Sequence, residues 1–115
     1  MKFQELEFNK QIIDKTIEKG FDELTIIQEK CIPKIMMGYD VVGQAETGSG
    51  KTMAFCLPIL EKIKPREGLQ TVILTPTREL CIQVKNVFKD FGKKLGIRTT
   101  SVYGGVAIGP QIKRI

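Results

Sequence analysis

One segment constrains this chain more than any other: Ala45 to Thr52 reads Ala-Glu-Thr-Gly-Ser-Gly-Lys-Thr. A strand pattern precedes it and a helix pattern follows it, and glycines allow the backbone amides of such a loop to turn toward a bound phosphate. In this arrangement Lys51 reaches the β- and γ-phosphates and Thr52 ligates Mg²⁺. The strict pattern has glycine in place of Ala45. An ordinary glycine-rich turn is the alternative, but the flanking strand and helix favour a phosphate-binding loop.

The composition predicts one globular domain that lies in the cytoplasm. The 115 residues are 42% hydrophobic and 27% charged, which suffices for a buried core. Histidine is absent, and this excludes a Ser-His-Asp triad, a Cys-His protease and any zinc site that uses histidine. The three cysteines form no C-x-x-C pair and fit a reducing compartment. We find neither a signal peptide nor an apolar run near the roughly 20 residues of a membrane span.

The charge is distributed unevenly along the chain. Residues 1–50 carry six lysines and nine acidic residues, a balance of −3, whereas residues 51–115 carry twelve basic and four acidic residues, a balance of +8. A basic half favours a polyanionic partner, because cations that neutralise phosphates release condensed counterions. A solvated helix face is the alternative reading of the lysines at 85, 89 and 93.

Strand and helix patterns alternate along the chain. Helices are predicted over Asn9–Lys19, Ile27–Met37, Lys51–Lys64 and from Thr75-Pro76 to about Lys94, with Thr75 as the cap and Pro76 in the first helical position. Strands are predicted over Tyr39–Gly43, Gln70–Leu74 and Ile97–Tyr103, the second of them buried on both faces. This alternation predicts an α/β fold with a parallel sheet flanked by helices.

Four motifs in order give the chain a family resemblance. Besides Ala45–Thr52, these are Gly20–Gln28 with Phe3 seventeen residues before it, Pro76–Leu80, and the pair Gly104-Gly105. They resemble the Q motif, motif I, motif Ia and the GG motif of DEAD-box RNA helicases. The resemblance implies a P-loop RecA-like fold that stops before the DEAD-motif strand, with a helical Q-motif segment over residues 1–38 and a partial RecA-like ATP-binding domain over 39–115.

The resemblance implies an adenine-nucleotide site that binds ATP and Mg²⁺. A glutamine amide can pair with the N6/N7 edge of adenine, so Gln28 is expected to select ATP over GTP. Phe3 is expected to lie against the adenine ring, and Thr25 to hold the Q-motif loop against the phosphate loop. A solvated Gln28 and a Phe3 that serves only as a hydrophobic staple are the alternatives. The residues expected to bind the nucleotide are Phe3, Phe21, Thr25, Gln28, Ala45, Glu46, Thr47, Gly48, Ser49, Gly50, Lys51 and Thr52, with Lys51 and Thr52 as catalytic candidates and Thr52 as the Mg²⁺ ligand.

The resemblance also implies a site for the backbone of single-stranded RNA. A helix that starts at Pro76 leaves the next amides free beside the guanidinium of Arg78, and Gly104-Gly105 allows close approach of a sugar–phosphate strand. Such contacts give affinity with little sequence preference. The alternative for Arg78 is a surface ion pair. The residues expected to bind RNA are Pro76, Thr77, Arg78, Glu79, Gly104 and Gly105.

The sequence also departs from the family pattern. Leu24 replaces the usual proline of the Q motif, and Cys81 replaces the alanine that usually follows motif Ia. The 115 residues contain no D-E-A-D or S-A-T motif and no second RecA-like domain. We therefore expect the parent protein to be an ATP-dependent RNA helicase and this chain to bind nucleotide without efficient hydrolysis. Its exposed sheet edges favour self-association, and a rearranged sheet is the alternative. A non-catalytic nucleotide- or RNA-binding module and another P-loop helicase or ATPase are the alternatives.

Overall fold

The computed structural model describes residues 1–115, which form two compact units, Met1–Ile63 and Lys64–Ile115. The first unit contains α1 (Lys10–Glu18), α2 (Ile26–Met36), α3 (Lys51–Lys62) and a short 3-10 helix (Phe3–Glu5), and the second contains α4 (Arg78–Gly92), α5 (Ile108–Arg114) and a 3-10 helix (Lys93–Leu95). None of these helices has the length and apolar character needed to cross a membrane. The four predicted helices correspond to α1, α2, α3 and α4, and their ends agree to within a few residues.

The core of the first unit lies where α2 packs against α3. Ile32 of α2 and Leu57 of α3 are at most 1% exposed, and burial of such a side chain is worth about 1.5–3 kcal/mol. Asn9 links α1 to α3. Its side chain caps α1 by accepting from the amide of Gln11, and its own amide donates to the carboxylate of Glu61 in α3 at 2.8 Å.

A pair of main-chain hydrogen bonds fixes the N-terminal segment of the first unit. Around an antiparallel bridge between Lys2 and Glu23, the amide of Phe3 donates to the carbonyl of Asp22 at 2.9 Å and that of Leu24 donates to the carbonyl of Met1 at 2.8 Å. Proline has no amide hydrogen, so Leu24 supplies a donor that the usual Q-motif residue lacks.

The start of α4 differs from the prediction. The cap is Thr77, whose hydroxyl accepts from the amide of Leu80 at 3.1 Å, and the first helical residue is Arg78. Pro76 therefore precedes the helix instead of opening it, because the side chain that satisfies the first-turn amides belongs to Thr77 and not to Thr75. Val84, Phe88 and Phe91 of α4 form the core of the second unit, as their spacing predicts.

The three predicted strands do not pair. The bridge between Lys2 and Glu23 is the one β interaction of the structure, and no ladder joins residues 39–43, 70–74 and 97–103 to a neighbour. The prediction that 70–74 is buried on both faces is wrong for this chain, since Val72 and Leu74 are 72% and 91% exposed. A parallel strand needs neighbours for both its hydrogen bonds and its burial, and neither unit provides them.

Burial of Cys56 leads to a prediction for stability at high pH. The side chain is fully buried in α3, and desolvation of the thiolate raises its pKa to about 12. The ordinary pKa of the thiol is 9.0, so the stability of the folded state is complete below that pH and falls as the unfolded state ionises, by about 1 kcal/mol at pH 10.

Urea unfolding at a series of pH values measures this effect. Tyrosines and lysines also titrate in this range, so the matched control is Cys56→Ala. The difference in unfolding free energy between the two chains should shrink as pH rises. A difference that stays constant over this range would show that the buried thiol is not coupled to folding.

Candidate functional site

The glycine-rich loop of the first unit has a backbone that only glycine adopts readily. Gly48 and Gly50 lie at φ 83° and 87°, in the left-handed region, and Gly50 directly precedes α3. The amides of Gly50, Lys51 and Thr52 donate to no acceptor within the chain. Free amides at the beginning of a helix form an environment that favours an anion.

Lys51 and Thr52 are the first two residues of α3. The ammonium group of Lys51 is exposed and forms neither an ion pair nor a hydrogen bond, whereas Thr52 is half-buried. The unpaired ammonium group and the three free amides can donate to phosphate oxygens, and the Thr52 hydroxyl oxygen can bind Mg²⁺. The predicted phosphate loop therefore has the local geometry that its sequence indicates.

Gln28 joins the start of α2 to the phosphate loop. Its amide oxygen accepts from the amide of Thr25 at 2.9 Å, and its amide nitrogen donates to the carbonyl of Gly50 at 3.1 Å. The hydroxyl of Thr25 completes a capping box by accepting from the amide of Gln28 at 3.4 Å. Gln28 is only 4% exposed, so it is not the solvated helix residue of the alternative reading. Its amide oxygen and nitrogen are both bound within the chain, and its pairing with adenine stays a prediction.

Gly50 also has no room for a side chain. A Cβ atom at this position would lie 2.5 Å from the amide nitrogen of Gln28 and 2.9 Å from the hydroxyl of Thr25. At Gly48, by contrast, a Cβ would meet nothing within 4 Å. The structure thus brings the Q-motif residues and the phosphate loop into direct contact at Gly50.

Two predicted aromatic residues lie together near the N-terminus. The rings of Phe3 and Phe21 are 5.8 Å apart between centroids and tilted by 32°. Phe3 is 3% exposed and Phe21 is 38% exposed. The accessible ring surface of this pair therefore belongs to Phe21, and the contact of Phe3 with adenine stays a prediction.

The second unit brings Arg78 to the Gly104-Gly105 loop. The guanidinium carbon of Arg78 lies 4.8 Å from the centroid of the Tyr103 ring, and one of its terminal nitrogens lies 3.8 Å from the position of a Cβ on Gly105. Arg78 is exposed and pairs with no carboxylate, so the structure does not form the surface ion pair of the alternative reading. An unpaired guanidinium beside an open glycine backbone suits a phosphate group.

The comparison with known proteins decides the family. The sequence profile described as "DEAD/DEAH box helicase" matches residues 25–115. The chain belongs to the DEAD/DEAH box helicase family. It is 45% identical to the DEAD-box ATP-dependent RNA helicase CshA of Streptococcus pneumoniae over 100% of this chain and 22% of that protein. It is 41% identical to the ATP-dependent RNA helicase DBP2 of Encephalitozoon cuniculi over 99% of this chain and 24% of that protein.

Solved structures confirm the fold class of this DEAD-box chain. A DEAD box protein from Methanococcus jannaschii aligns with a TM-score of 0.88 and 42% identity over 99% of this chain and 32% of that chain. The helicase Prp28 from Chaetomium thermophilum, solved with bound ADP, aligns with a TM-score of 0.79 and 37% identity over 91% of this chain and 27% of that one. The RecA-like backbone is therefore present, although its sheet is unpaired in this structure. This DEAD-box chain spans about a quarter of the length of the curated relatives it matches.

Two residues beside the candidate RNA site are absent from the predicted set. Tyr103 lies under the Arg78 guanidinium, and its place directly before Gly104 is the signal that could have identified it. Gln111 is 3% exposed, and its side chain spans the glycine loop. A single glutamine in a seven-residue helix gives no signal in one sequence, because both of its partners lie outside that helix.

Proposed function

We propose that this DEAD-box chain binds an adenine nucleotide through its first unit and the backbone of single-stranded RNA through its second. In the complete protein these two activities would serve ATP-dependent RNA unwinding or remodelling. The observation that carries the nucleotide part is the hydrogen bond of the Gln28 side chain to Gly50, because it places the candidate base-reading residue on the phosphate loop itself. Prp28, which is similar to this chain, was solved with ADP, and this supports the choice of nucleotide.

The residues of the phosphate loop fit a Mg²⁺–nucleotide complex. Lys51 supplies a cation for the β- and γ-phosphates, and the free amides at the start of α3 supply donors for their oxygens. The Thr52 hydroxyl would hold Mg²⁺, which takes few protein ligands and neutralises phosphate charge when bound. Efficient hydrolysis needs further groups that position water and stabilise charge, and an arginine finger alone is worth about 10³–10⁵ in rate. We propose that the 115-residue chain binds nucleotide without efficient turnover.

The second unit supports the RNA part of the proposal. Arg78 stands unpaired at the start of α4, beside the exposed Gly104-Gly105 loop, and the basic balance of residues 51–115 favours a polyanion. The glycine loop has no side chain that could read a base edge, and the Arg78 guanidinium suits a phosphate group, so we propose contacts to phosphate and sugar with little sequence preference.

Competition between nucleotides tests the proposed site. A fluorescent ADP analogue is titrated with Mg²⁺ into the chain and displaced by ATP or by GTP. We expect ATP to compete much better than GTP, and Gln28→Ala to reduce this preference by about 1–3 kcal/mol, the discrimination that one well-formed amide–base pair provides. Gln28→Ala also loses its bond to Gly50, so the ratio of the ATP and GTP constants is the decisive quantity. Equal competition by both nucleotides in the parent chain would contradict adenine recognition.

We also propose that the unpaired segments favour self-association. Leu69, Val72 and Leu74 expose 72–91% of their surface within a stretch whose backbone pairs with no neighbouring strand. Apolar segments with free backbone groups pair readily with another chain. Light scattering over a dilution series tests this proposal, and a monomer that persists at high concentration would contradict it.

The three cysteines are unpaired, which supports a reducing compartment such as the cytoplasm.

A further inference from the structure

We propose that Gln111 is a positioning residue for RNA binding: its buried amide holds the Gly104-Gly105 loop in the form that keeps Arg78 ready for a phosphate group. This inference rests on the proposed RNA-binding function and extends it to a residue of α5 outside the family motifs.

The Gln111 side chain closes the loop from within. Its amide oxygen accepts from the backbone amide of Tyr103 at 2.8 Å, and its amide nitrogen donates to the carbonyl of Ala107 at 3.0 Å. The residues between these two points, 104–106, are all exposed and form no hydrogen bond within the chain. Gly105 lies at φ 83°. The two hydrogen bonds of one buried amide therefore define the two ends of an otherwise open loop.

Tyr103 connects this support to Arg78. Its backbone amide is bound to Gln111, and its half-buried ring lies under the Arg78 guanidinium at 4.8 Å. Such a cation–π contact is worth about 0.5–1 kcal/mol at an exposed site, and it restricts a long and mobile side chain. Arg78 has no other partner that would fix it. Loss of the support is thus expected to free the loop, the tyrosine ring and the guanidinium together.

The chemistry of this position requires an amide. Glutamine has a donor and an acceptor on one planar group, whereas a carboxylate accepts only and methionine donates to neither partner. Gln111→Met keeps the length and the apolar stem of the side chain and removes both hydrogen bonds. A matched control exists in the same unit: the Thr100 hydroxyl donates to the carbonyl of Arg114 at 3.2 Å, at the other end of α5. Thr100→Val removes that hydrogen bond without touching the loop.

The test measures binding of a fluorescently labelled oligouridylate to the full chain over a range of salt concentrations. The slope of log affinity against log salt counts phosphate contacts. We expect Gln111→Met and Arg78→Ala each to reduce the slope by about one, and the double variant to reduce it no further than Arg78→Ala alone. A role in stability only would lower the folded fraction and the apparent affinity, but would leave the slope unchanged.

Hydrogen exchange of the Tyr103 amide reports on the loop without RNA. Gln111→Met is expected to accelerate this exchange, and Thr100→Val to leave both the exchange and the salt slope as in the parent chain. Unchanged exchange in Gln111→Met, an unchanged slope, or an equal loss of slope in Thr100→Val would each overturn the inference. If the parent chain binds no RNA, the RNA part of the proposed function fails and the role of Gln111 in it fails too. If Gln111→Met still accelerates the exchange of the Tyr103 amide in that case, the loop geometry is correct and the proposed RNA binding is wrong.

Discussion

A chain that carries Gly50→Ala is expected to lose most of its affinity for adenine nucleotide, by about 100-fold or more, whereas Gly48→Ala keeps more of it. Both glycines lie at φ above 80°, where a non-glycine residue costs about 1–3 kcal/mol. Only at Gly50 would the new Cβ also lie 2.5 Å from the amide nitrogen of Gln28. Relief of that contact must move either the phosphate loop or the Gln28 side chain.

Titration with the fluorescent ADP analogue measures both variants, and thermal unfolding shows whether each chain still folds. The comparison isolates the contacts with Gln28 and Thr25, because the backbone φ is nearly the same at the two positions. Equal losses of affinity in Gly48→Ala and Gly50→Ala would show that strain alone matters. The contact between the Q-motif residues and the loop would then have no part in nucleotide binding.

Lys51→Ala is expected to weaken nucleotide binding by about 10- to 100-fold, because a hydrogen bond to a charged group is worth about 1.5–3 kcal/mol. The ammonium group is exposed and unpaired, so its removal leaves no buried partner unsatisfied and should change stability little. Lys62→Ala is the matched control. It removes the same charge from the other end of α3, where the lysine donates to the carbonyl of Ile35.

The same ADP titration separates the two lysines. Lys62→Ala is expected to retain the affinity of the parent chain, since surface charges beyond about 10 Å are largely screened at ordinary ionic strength. If both variants lose affinity equally, the effect is one of net charge, and the assignment of Lys51 to the phosphates is wrong. A loss confined to Lys51→Ala supports a direct contact.

Local features of this fold could be predicted from the sequence, and non-local ones could not. The phosphate loop is contiguous, and its glycines, its lysine and the helix that follows are all visible within eight residues. The helices follow from the spacing of apolar residues, as in Val84, Phe88 and Phe91. Strand pairing depends on distant partners, so the β-branched run at 70–74 predicts a buried strand even though this chain provides no neighbour for it.

The candidate site shows the same division. The sequence identifies Gln28 and Arg78 through short motifs, but it does not show that Gln28 donates to Gly50, a residue 22 positions away. It places the cap of α4 at Thr75 because a proline often follows a cap, whereas Thr77 has the hydroxyl that reaches the first turn. Gln111 escapes sequence analysis altogether, because its two hydrogen-bond partners are backbone groups outside its own helix.

The hydrogen bond of Leu24 to Met1 has a consequence for the energetics of the nucleotide binding proposed above. With Phe3 bonded to Asp22, it orders the first three residues and the Phe3–Phe21 pair when the chain folds, before any nucleotide arrives. The conformational entropy of this segment, about 1–2 kcal/mol for each backbone residue, is then part of the folding equilibrium and not of the binding constant. The N-terminal segment thus provides a preorganised pair of aromatic rings, to which Leu24 contributes a main-chain donor that a proline lacks.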